Sequence, residues 1–181
     1  MLFRGLAFPA IAAIALTAGA AMAQTQAPAP AAPYPLDNVP EKLGFNVPYG
    51  APISADRAQA VIQAAAAEAT KRGWPLDIAV VDSGANLVAF LRMDGAQLAS
   101  IPIAEHKARA AAKYRRPTKV FEEGLEKLDY KYVLTLDDVI ASRGGIPLIE
   151  DGKLIGAVGC SGGTGSQDEV VCLAGAAVIN K

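Results

Sequence analysis

The chain has 181 residues, of which 52% are hydrophobic, and its 17 basic and 18 acidic residues give a formal net charge of −1. This balance excludes the strongly basic surface that is typical of nucleic-acid-binding domains, and the sequence has no basic amphipathic helix of the kind that lies on a membrane surface. The length corresponds to one domain. We therefore expect a single folded domain with neither nucleic acid nor a membrane as its partner.

Residues 1–23 have the pattern of a secretory signal peptide. Arg4 gives a basic start, residues 6–20 are apolar, and Ala21 and Ala23 are the small residues of a signal-peptidase site. The apolar run is too short to span a bilayer comfortably. We expect cleavage after about Ala23 and a periplasmic or secreted mature protein, with an uncleaved anchor as the alternative.

Residues 24–52 are rich in Ala and Pro and show no periodicity, which predicts a tether and an irregular arm before a domain over residues 53–181. The first predicted helix of that domain covers Ala55–Arg72. Ser54 is its predicted N-cap, and Gly73 can end it in the left-handed conformation.

Two β-hairpins are predicted from pairs of apolar runs that short turn segments separate. The first joins residues 76–81 to 86–93, and the second joins residues 146–149 to 154–158. Four such strands predict an antiparallel sheet, whose edges another chain could pair with. Because helical patterns precede, separate and follow the hairpins, we predict an α+β fold with helices packed on the sheet.

The helix predicted between the hairpins, over residues 101–114, has small apolar residues on two sides. Ile103 and Ala110 lie opposite the main stripe, which consists of Ile101, Ala104, Ala108, Ala111 and Ala112. A helix with two apolar sides needs two covers. Its own sheet supplies one, and we predict that a second copy of the chain supplies the other, in a homo-oligomer.

The remaining helices are predicted from their first turns. Thr118 is expected to cap a helix that ends near Leu128, and residues 136–142 are expected to form a further turn or two. Ser166 and Glu169 match the Ser-x-x-Glu capping box and predict the start of the last helix. The apolar stripe expected to face the sheet consists of Val170, Leu173, Ala174 and Ala177.

Cys160 and Cys172 are the only two cysteines. In an exported chain they could form a disulfide between a strand and the following helix. Equally, both could be small buried hydrophobes, because free cysteine is among the most buried residue types. Two cysteines without a nearby histidine make a poor metal site.

Two motifs resemble catalytic or nucleotide-binding loops, and both fail on chemistry. The loop Gly163–Asp168 begins like the dinucleotide fingerprint, but Asp168 stands in place of the third glycine and its carboxylate would repel a phosphate. Ser161 fits the Gly-x-Ser-x-Gly pattern of a hydrolase nucleophile, but no histidine follows it. With no catalytic set in view, binding is a better expectation than catalysis.

Three residues of the predicted 101–114 helix and its end, together with Arg116, are candidates for haem binding. His106 is either a partly exposed polar residue among charged neighbours or an imidazole that ligates haem iron at a subunit surface. Tyr114 and Arg115, with Arg116, either bind haem propionates through charge-assisted hydrogen bonds or form a solvated helix end.

Several segments together resemble the GlcG/HbpS family, which also includes the C-terminal domain of PduO. The resemblance covers about residues 54–181 and rests on these ordered segments: AVVDSGANL at residues 79–87, RMDGA at 92–96, the helix from Lys107 to Thr118, GGIP at 144–147, GAVGCSG at 156–162 and QDE at 167–169. Ala85 departs from the pattern, where a glycine is common, and so does Cys160, where an aliphatic residue is common.

This resemblance implies a profilin-like domain, with helices on both faces of an antiparallel sheet, that assembles into a higher oligomer. It also implies haem as the cofactor, because several relatives bind haem and exported ones are linked to haem sensing and redox protection. The family has no universal haem ligand that could be matched to a residue of this chain, so His106 is a candidate on its chemistry alone. We expect an exported, oligomeric protein that buffers, stores or senses haem. The alternative is an assembly module for a partner protein or a small organic acid, with haem uptake incidental.

Overall fold

A computed structural model describes residues 35–180. Its helices and strands are α1 (Ala55–Arg72), β1 (Asp77–Asp82), β2 (Leu87–Arg92), α2 (Ser100–Tyr114), α3 (Lys119–Leu128), β3 (Gly145–Glu150), β4 (Lys153–Ser161) and α4 (Gly165–Ala176). Short 3-10 turns occur at Pro35–Asp37 and Lys131–Thr135. The residues from Asn38 onward form one compact unit. The predicted signal peptide and the first part of the tether lie outside the described residues.

The four strands form one antiparallel sheet in the order β2-β1-β4-β3. Alternate residues of β1 point to opposite faces, as the period of a strand requires. Ile78 and Val80 pack in a core with α1 and α4, whereas Ala79 and Val81 pack in a second core with α2. The predicted α+β fold, with helices on both faces of an antiparallel sheet, is confirmed.

The first helix and first turn form for the reasons the sequence suggests. The helix covers Ala55–Arg72, and Gly73 ends it with a φ of 69°. Ser54 precedes the helix, but its side chain makes no capping hydrogen bond. In the β1–β2 turn, Asp82 Oδ1 accepts the backbone N–H groups of Gly84 and Asn86 at 2.8 and 2.9 Å.

The two-sided apolar pattern of α2 has a different explanation from the one predicted. Ala110, on the side assigned to a second copy, is fully buried within the single chain, and Ile103 is half-buried. The chain itself therefore supplies most of the second cover. The apolar pattern of α2 therefore no longer requires a second copy of the chain, and the homo-oligomer stays a prediction.

The start of α4 differs from the predicted one. Thr164 is the N-cap and forms a capping box with Gln167, so the pair Ser166 and Glu169 was the wrong choice. Both pairs satisfy the same spacing two residues apart. The apolar stripe is also shifted, because Leu173 is 49% exposed. The buried side of the helix consists of Asp168, Val171, Cys172, Gly175 and Ala176.

One expectation for the segment between α3 and β3 was also wrong. Residues 136–142 form no helix, and Asp138 has a left-handed φ of 58° that helical backbone does not adopt. Thr118 is the N-cap of α3, which ends at Leu128 as predicted, although the Thr118 side chain makes no capping hydrogen bond. Its hydroxyl instead accepts the Gly145 N–H at 2.9 Å.

The outer edge of β3 is occupied by groups of the same chain. Thr118 receives the Gly145 N–H on its hydroxyl and donates its own N–H to the Gly145 carbonyl at 3.0 Å. The Asn180 amide donates to the Pro147 carbonyl at 2.9 Å and accepts the Ile149 N–H at 2.7 Å. The predicted availability of this edge for another chain is therefore wrong. None of the helices within residues 35–180 is long and apolar enough to cross a membrane.

Candidate functional site

Cys160 and Cys172 form a disulfide that joins β4 to α4, with their Cα atoms 5.7 Å apart. Both residues are fully buried in the core that α1 and α4 share with the sheet. Of the two possibilities that the sequence left open, the structure has the disulfide. Because the sulfur atoms lie in the core, the bond is a structural one.

A buried ion pair joins two helices, and sequence reasoning missed it. Lys107 Nζ of α2 lies 2.7 Å from Asp168 Oδ2 of α4, and the two side chains are 1% and 3% exposed. The second oxygen of Asp168 accepts the Gly163 N–H at 2.9 Å. Burial raises the pKa of Asp168, and the positive charge of Lys107 opposes that rise. The pair connects helices on opposite faces of the sheet.

Two glycines at the start of β3, Gly144 and Gly145, make room for this ion pair. A Cβ atom on Gly145 would lie 2.3 Å from the Lys107 carbonyl oxygen. Gly144, with a φ of 115°, would place a Cβ atom 2.8 Å from Asp168 Cβ and 3.1 Å from Lys107 Nζ. Only glycine allows backbone to approach this closely. The Gly-Gly pair and the Lys–Asp pair are therefore parts of one packing arrangement.

A second buried polar group lies where β1 and β4 meet the start of α2. Asp77 is fully buried, and both of its carboxylate oxygens lack a hydrogen-bond partner among residues 35–180. Burial raises the pKa of Asp77, and the charge of Arg92 opposes the rise. Ser161, directly opposite Asp77 in the register, donates its hydroxyl to Ser100 Oγ at 3.1 Å. Ser161 is thus a buried residue whose hydroxyl bonds to another serine, whereas a catalytic nucleophile would bond to a base.

His106 lies on α2 and is half-buried. Its Nε2 atom is buried and has no hydrogen-bond partner within the described chain. The hydrogen bond from Lys113 lowers the pKa of Asp138, and the charges of Lys113, Arg109 and His106 contribute to the shift. The imidazole therefore lies near the segment that carries Asp138. An iron atom could reach Nε2 only if the groups that cover it moved.

Tyr114 and Arg115 lie at the other end of α2. The Tyr114 hydroxyl donates to the Asp137 carbonyl at 2.7 Å. Arg115 has a φ of 53°, donates to the Val47 carbonyl at 3.1 Å, and lies 5.4 Å from the ring centroid of Tyr49. At 1.5 Å per residue, His106 and Tyr114 are about 12 Å apart along the helix. The structure does not gather the three predicted residues around one cavity.

Two neighbouring cavities lie at this end of α2. The first, here called the tyrosine cavity, has a volume of about 380 Å³ and is lined by Phe45, Tyr114, Arg116, Phe121, Tyr130 and Tyr132, among others. The second, here called the β3 cavity, has a volume of about 500 Å³ and is lined by Arg115, Pro147 and Leu173, among others. Phe45 and Val120 line both, and His106 lines neither. Volumes of this order are typical of small-molecule sites.

Each cavity contains one arginine without a carboxylate partner. Among residues 35–180, neither Arg115 nor Arg116 forms an ion pair with Asp or Glu. Arg116 donates Nε to the Tyr114 carbonyl at 3.0 Å, and its guanidinium lies 3.8 Å from the ring centroid of Phe45. Burial lowers the pKa of Arg116. Within the described residues, no group of three or more His, Cys, Asp or Glu side chains is placed to hold a metal ion.

The chain is similar to known proteins both in sequence and in structure. A family model described as "Haem degrading protein HbpS-like" matches residues 53–177. Protein GlcG of Escherichia coli K12 is 43% identical over 109 residues, which are 60% of this chain and 81% of GlcG. A crystal structure of a PduOC complex with haem superposes with a TM-score of 0.64 at 27% identity, over 71% of this chain and 96% of that one. A double mutant of Streptomyces reticuli HbpS superposes with a TM-score of 0.67 at 27% identity, over 86% and 100% of the two chains.

Proposed function

Because the chain belongs to the HbpS-like family, we propose that it is an exported, oligomeric haem-binding protein that buffers, stores or senses haem. The observation that carries this proposal is the likeness to PduOC, which has been solved as a haem complex. The description of the family model speaks of haem degradation. Our proposal is limited to haem binding, and the stability of the bound haem in the titration described below distinguishes binding from degradation.

The end of α2 has the chemistry that haem requires. A haem group combines a large flat apolar ring with two propionates, and its iron accepts His or Tyr as an axial ligand. The two cavities supply apolar and aromatic walls, and Arg115 and Arg116 supply two positive charges without carboxylate partners. His106 is the proposed axial ligand, with Tyr114 and Arg115 as the proposed propionate contacts. Because His106 lines neither cavity and its Nε2 atom is buried, this role requires the groups that cover Nε2 to move when haem binds. The buried and unpartnered Nε2 atom of His106 supports this role, because it has a lone pair or proton that the chain leaves unused.

Export is supported by two features. The signal-peptide pattern ends at about Ala23, and the disulfide between Cys160 and Cys172 is typical of oxidising compartments. Expression of the full chain in a bacterium, followed by fractionation and N-terminal sequencing, tests the proposal. The expected product is periplasmic or secreted and begins at Gln24. An uncleaved chain that remains with the cells would contradict it.

The alternative is an assembly module that binds a partner protein or a small organic acid. One observation favours it: large apolar side chains are exposed beside the tyrosine cavity, with Leu128, Tyr132 and Leu134 at 48%, 46% and 68% exposure. Leu128 and Tyr132 line the cavity itself, and exposed apolar surface around a cavity is typical of interaction sites. Stoichiometry separates the two functions, because a true haem site saturates at a fixed ratio of haem to chain.

The test is a haemin titration of the mature protein beside His106→Ala, followed by absorbance. We expect the wild type to saturate with a sharp Soret band and the variant to lose that band. Glu105→Ala is the matched control, because it removes the neighbouring half-buried residue on the same helix. A saturating curve that His106→Ala leaves unchanged would keep the function and move the ligand elsewhere. A curve that never saturates would favour the assembly module, and a Soret band that decays after binding would favour degradation.

A further inference from the structure

Arg116 is a charged group without a carboxylate partner. It is half-buried, and within residues 35–180 its only hydrogen bond uses Nε, which donates to the Tyr114 carbonyl at 3.0 Å. Arg115 is its charged neighbour and lowers the pKa of Arg116 further than burial alone. Charges removed from water are usually paired, because desolvation is costly. The two Nη atoms of Arg116 therefore have donors available for an anion from outside the chain.

The walls around Arg116 are aromatic. Its guanidinium lies 3.8 Å from the Phe45 ring centroid and 5.8 Å from that of Phe121. Tyr130 and Tyr132 also line the tyrosine cavity, with their ring centroids 5.7 Å apart. Flat aromatic surfaces of this kind favour a flat apolar ligand through stacking and edge contacts.

The backbone of the N-terminal arm contributes to this arrangement. Phe45 has a left-handed φ of 55°, which is uncommon for a bulky residue and costs free energy. The arm is held nearby by the Tyr49 hydroxyl, which donates to the Lys113 carbonyl at 2.7 Å, and by the Val47 carbonyl, which accepts from Arg115. A strained residue held over an unpaired arginine is the kind of feature that functional sites retain.

From these observations we propose that the tyrosine cavity binds a flat aromatic carboxylate, with the carboxylate on the free edge of Arg116 and the ring against the tyrosines. This inference rests on the proposed haem function and deepens it, because it assigns a haem propionate to Arg116 in place of Arg115. A guanidinium with two free Nη atoms matches a carboxylate in a planar, bidentate way. A doubly charged phosphate fits less well, since this cavity offers it one arginine among apolar walls.

The experiment uses metal-free protoporphyrin, whose binding does not depend on any iron ligand. Fluorescence titration compares the wild type with Arg116→Gln and with Arg109→Gln. Arg109 is the matched control, because it is a half-buried arginine of α2 that already pairs with Glu105 at 3.3 Å. We expect Arg116→Gln to weaken binding about tenfold or more, as the loss of a charge-assisted hydrogen bond implies, and Arg109→Gln to leave it within about twofold.

Two further variants keep the test decisive. If Arg116→Gln fails to fold, as judged by its thermal unfolding midpoint, Tyr132→Ala removes an aromatic wall at a residue that is 46% exposed and outside the core, and it should weaken binding as well. Arg115→Gln tests the β3 cavity. Binding that is lost with Arg115→Gln but kept with Arg116→Gln and Tyr132→Ala would overturn the inference. So would affinity that none of the four substitutions changes.

A second ligand separates this inference from the proposed function. Pyrenecarboxylate is a flat aromatic carboxylate that is not a porphyrin. If the protein binds it in a way that depends on Arg116 but binds no haemin, the cavity assignment stands and the haem function fails. If haemin binds and saturates but no flat carboxylate responds to Arg116→Gln, the haem function stands and the cavity assignment fails. A second copy of the chain in the cavity would appear as a concentration-dependent mass that Arg116→Gln changes, and it would also overturn the inference.

Discussion

Replacing Lys107 with methionine should destabilise the domain strongly. The substitution keeps most of the buried aliphatic stem and removes Nζ, which lies 2.7 Å from Asp168 Oδ2. Asp168 is only 3% exposed in its side chain and would keep backbone donors alone, such as the Gly163 N–H. Removing one partner of a buried ion pair costs roughly 3–5 kcal/mol, because it leaves an unpaired buried charge. The free energy of unfolding of Lys107→Met should fall by about that amount at neutral pH.

The measurement is urea unfolding followed by circular dichroism, with Lys119→Met as the matched control. Lys119 also pairs with a carboxylate of α4, Glu169 at 3.4 Å, but its side chain is 39% exposed. Exposed pairs contribute about 0–1 kcal/mol. The double variant Lys107→Met, Asp168→Leu should recover much of the loss, because it removes both charges. Equal effects of Lys107→Met and Lys119→Met, or a loss below about 1 kcal/mol for Lys107→Met, would refute the argument from burial.

Three other predictions follow from buried groups. Burial raises the pKa of Asp77, so the stability that this group contributes is full at low pH and is lost as the pH rises through the folded-state pKa. In urea unfolding, Asp77→Asn should therefore become more stable relative to the wild type as the pH rises. A difference in the free energy of unfolding that is constant with pH would contradict this. Gly145→Ala should lower the thermal midpoint strongly, because its Cβ atom would lie 2.3 Å from a backbone oxygen. The matched control is Gly44→Ala, where no atom lies within 4 Å of an added Cβ and the backbone is not left-handed. Equal thermal midpoints of the two variants would count against this prediction. Replacing Cys160 and Cys172 together by Ala should cost about 3 kcal/mol in urea unfolding, as closure of a short loop predicts, and an unchanged unfolding midpoint under reducing conditions would argue against the disulfide.

The regular elements could be predicted because their signals are local. The helix over Ala55–Arg72 has an apolar stripe and a glycine at its end, and its bounds are confirmed. Both hairpins are confirmed as well, because each has two apolar runs around a turn of small polar residues. Local patterns of this kind specify an element, its ends and its buried side whenever only one reading satisfies them.

Prediction failed where two local readings were equally good. Thr164 with Gln167 and Ser166 with Glu169 both satisfy the capping-box spacing, and the sequence does not choose between them. The choice depends on tertiary contacts, since Gly175 packs against α1, where an added Cβ atom would lie 2.9 Å from the Val61 carbonyl oxygen. The buried side of α4 is thereby fixed, and its register follows.

The buried ion pair was invisible for a different reason. Lys107 stands among Glu105, His106 and Arg109, a composition that is typical of an exposed helix face. Asp168 lies 61 residues away in the chain, so only the three-dimensional fold brings the two together. Arg116 was noticed only as part of a charged helix end, because the absence of a carboxylate partner is a property of the folded chain and has no pattern in the sequence.

The occupied edge of β3 determines how this sheet could be extended. Its outward backbone groups at Gly145, Pro147 and Ile149 are taken by Thr118 and Asn180, so an incoming strand would have to displace bonds that already exist. Growth of the sheet into a fibre, or exchange of strands between copies, is therefore disfavoured on this side. Any continuous sheet shared by two copies would have to run through β2, the opposite edge. The proposed export would take the protein beyond the reach of cytosolic chaperones, where such protection against misassembly would be useful.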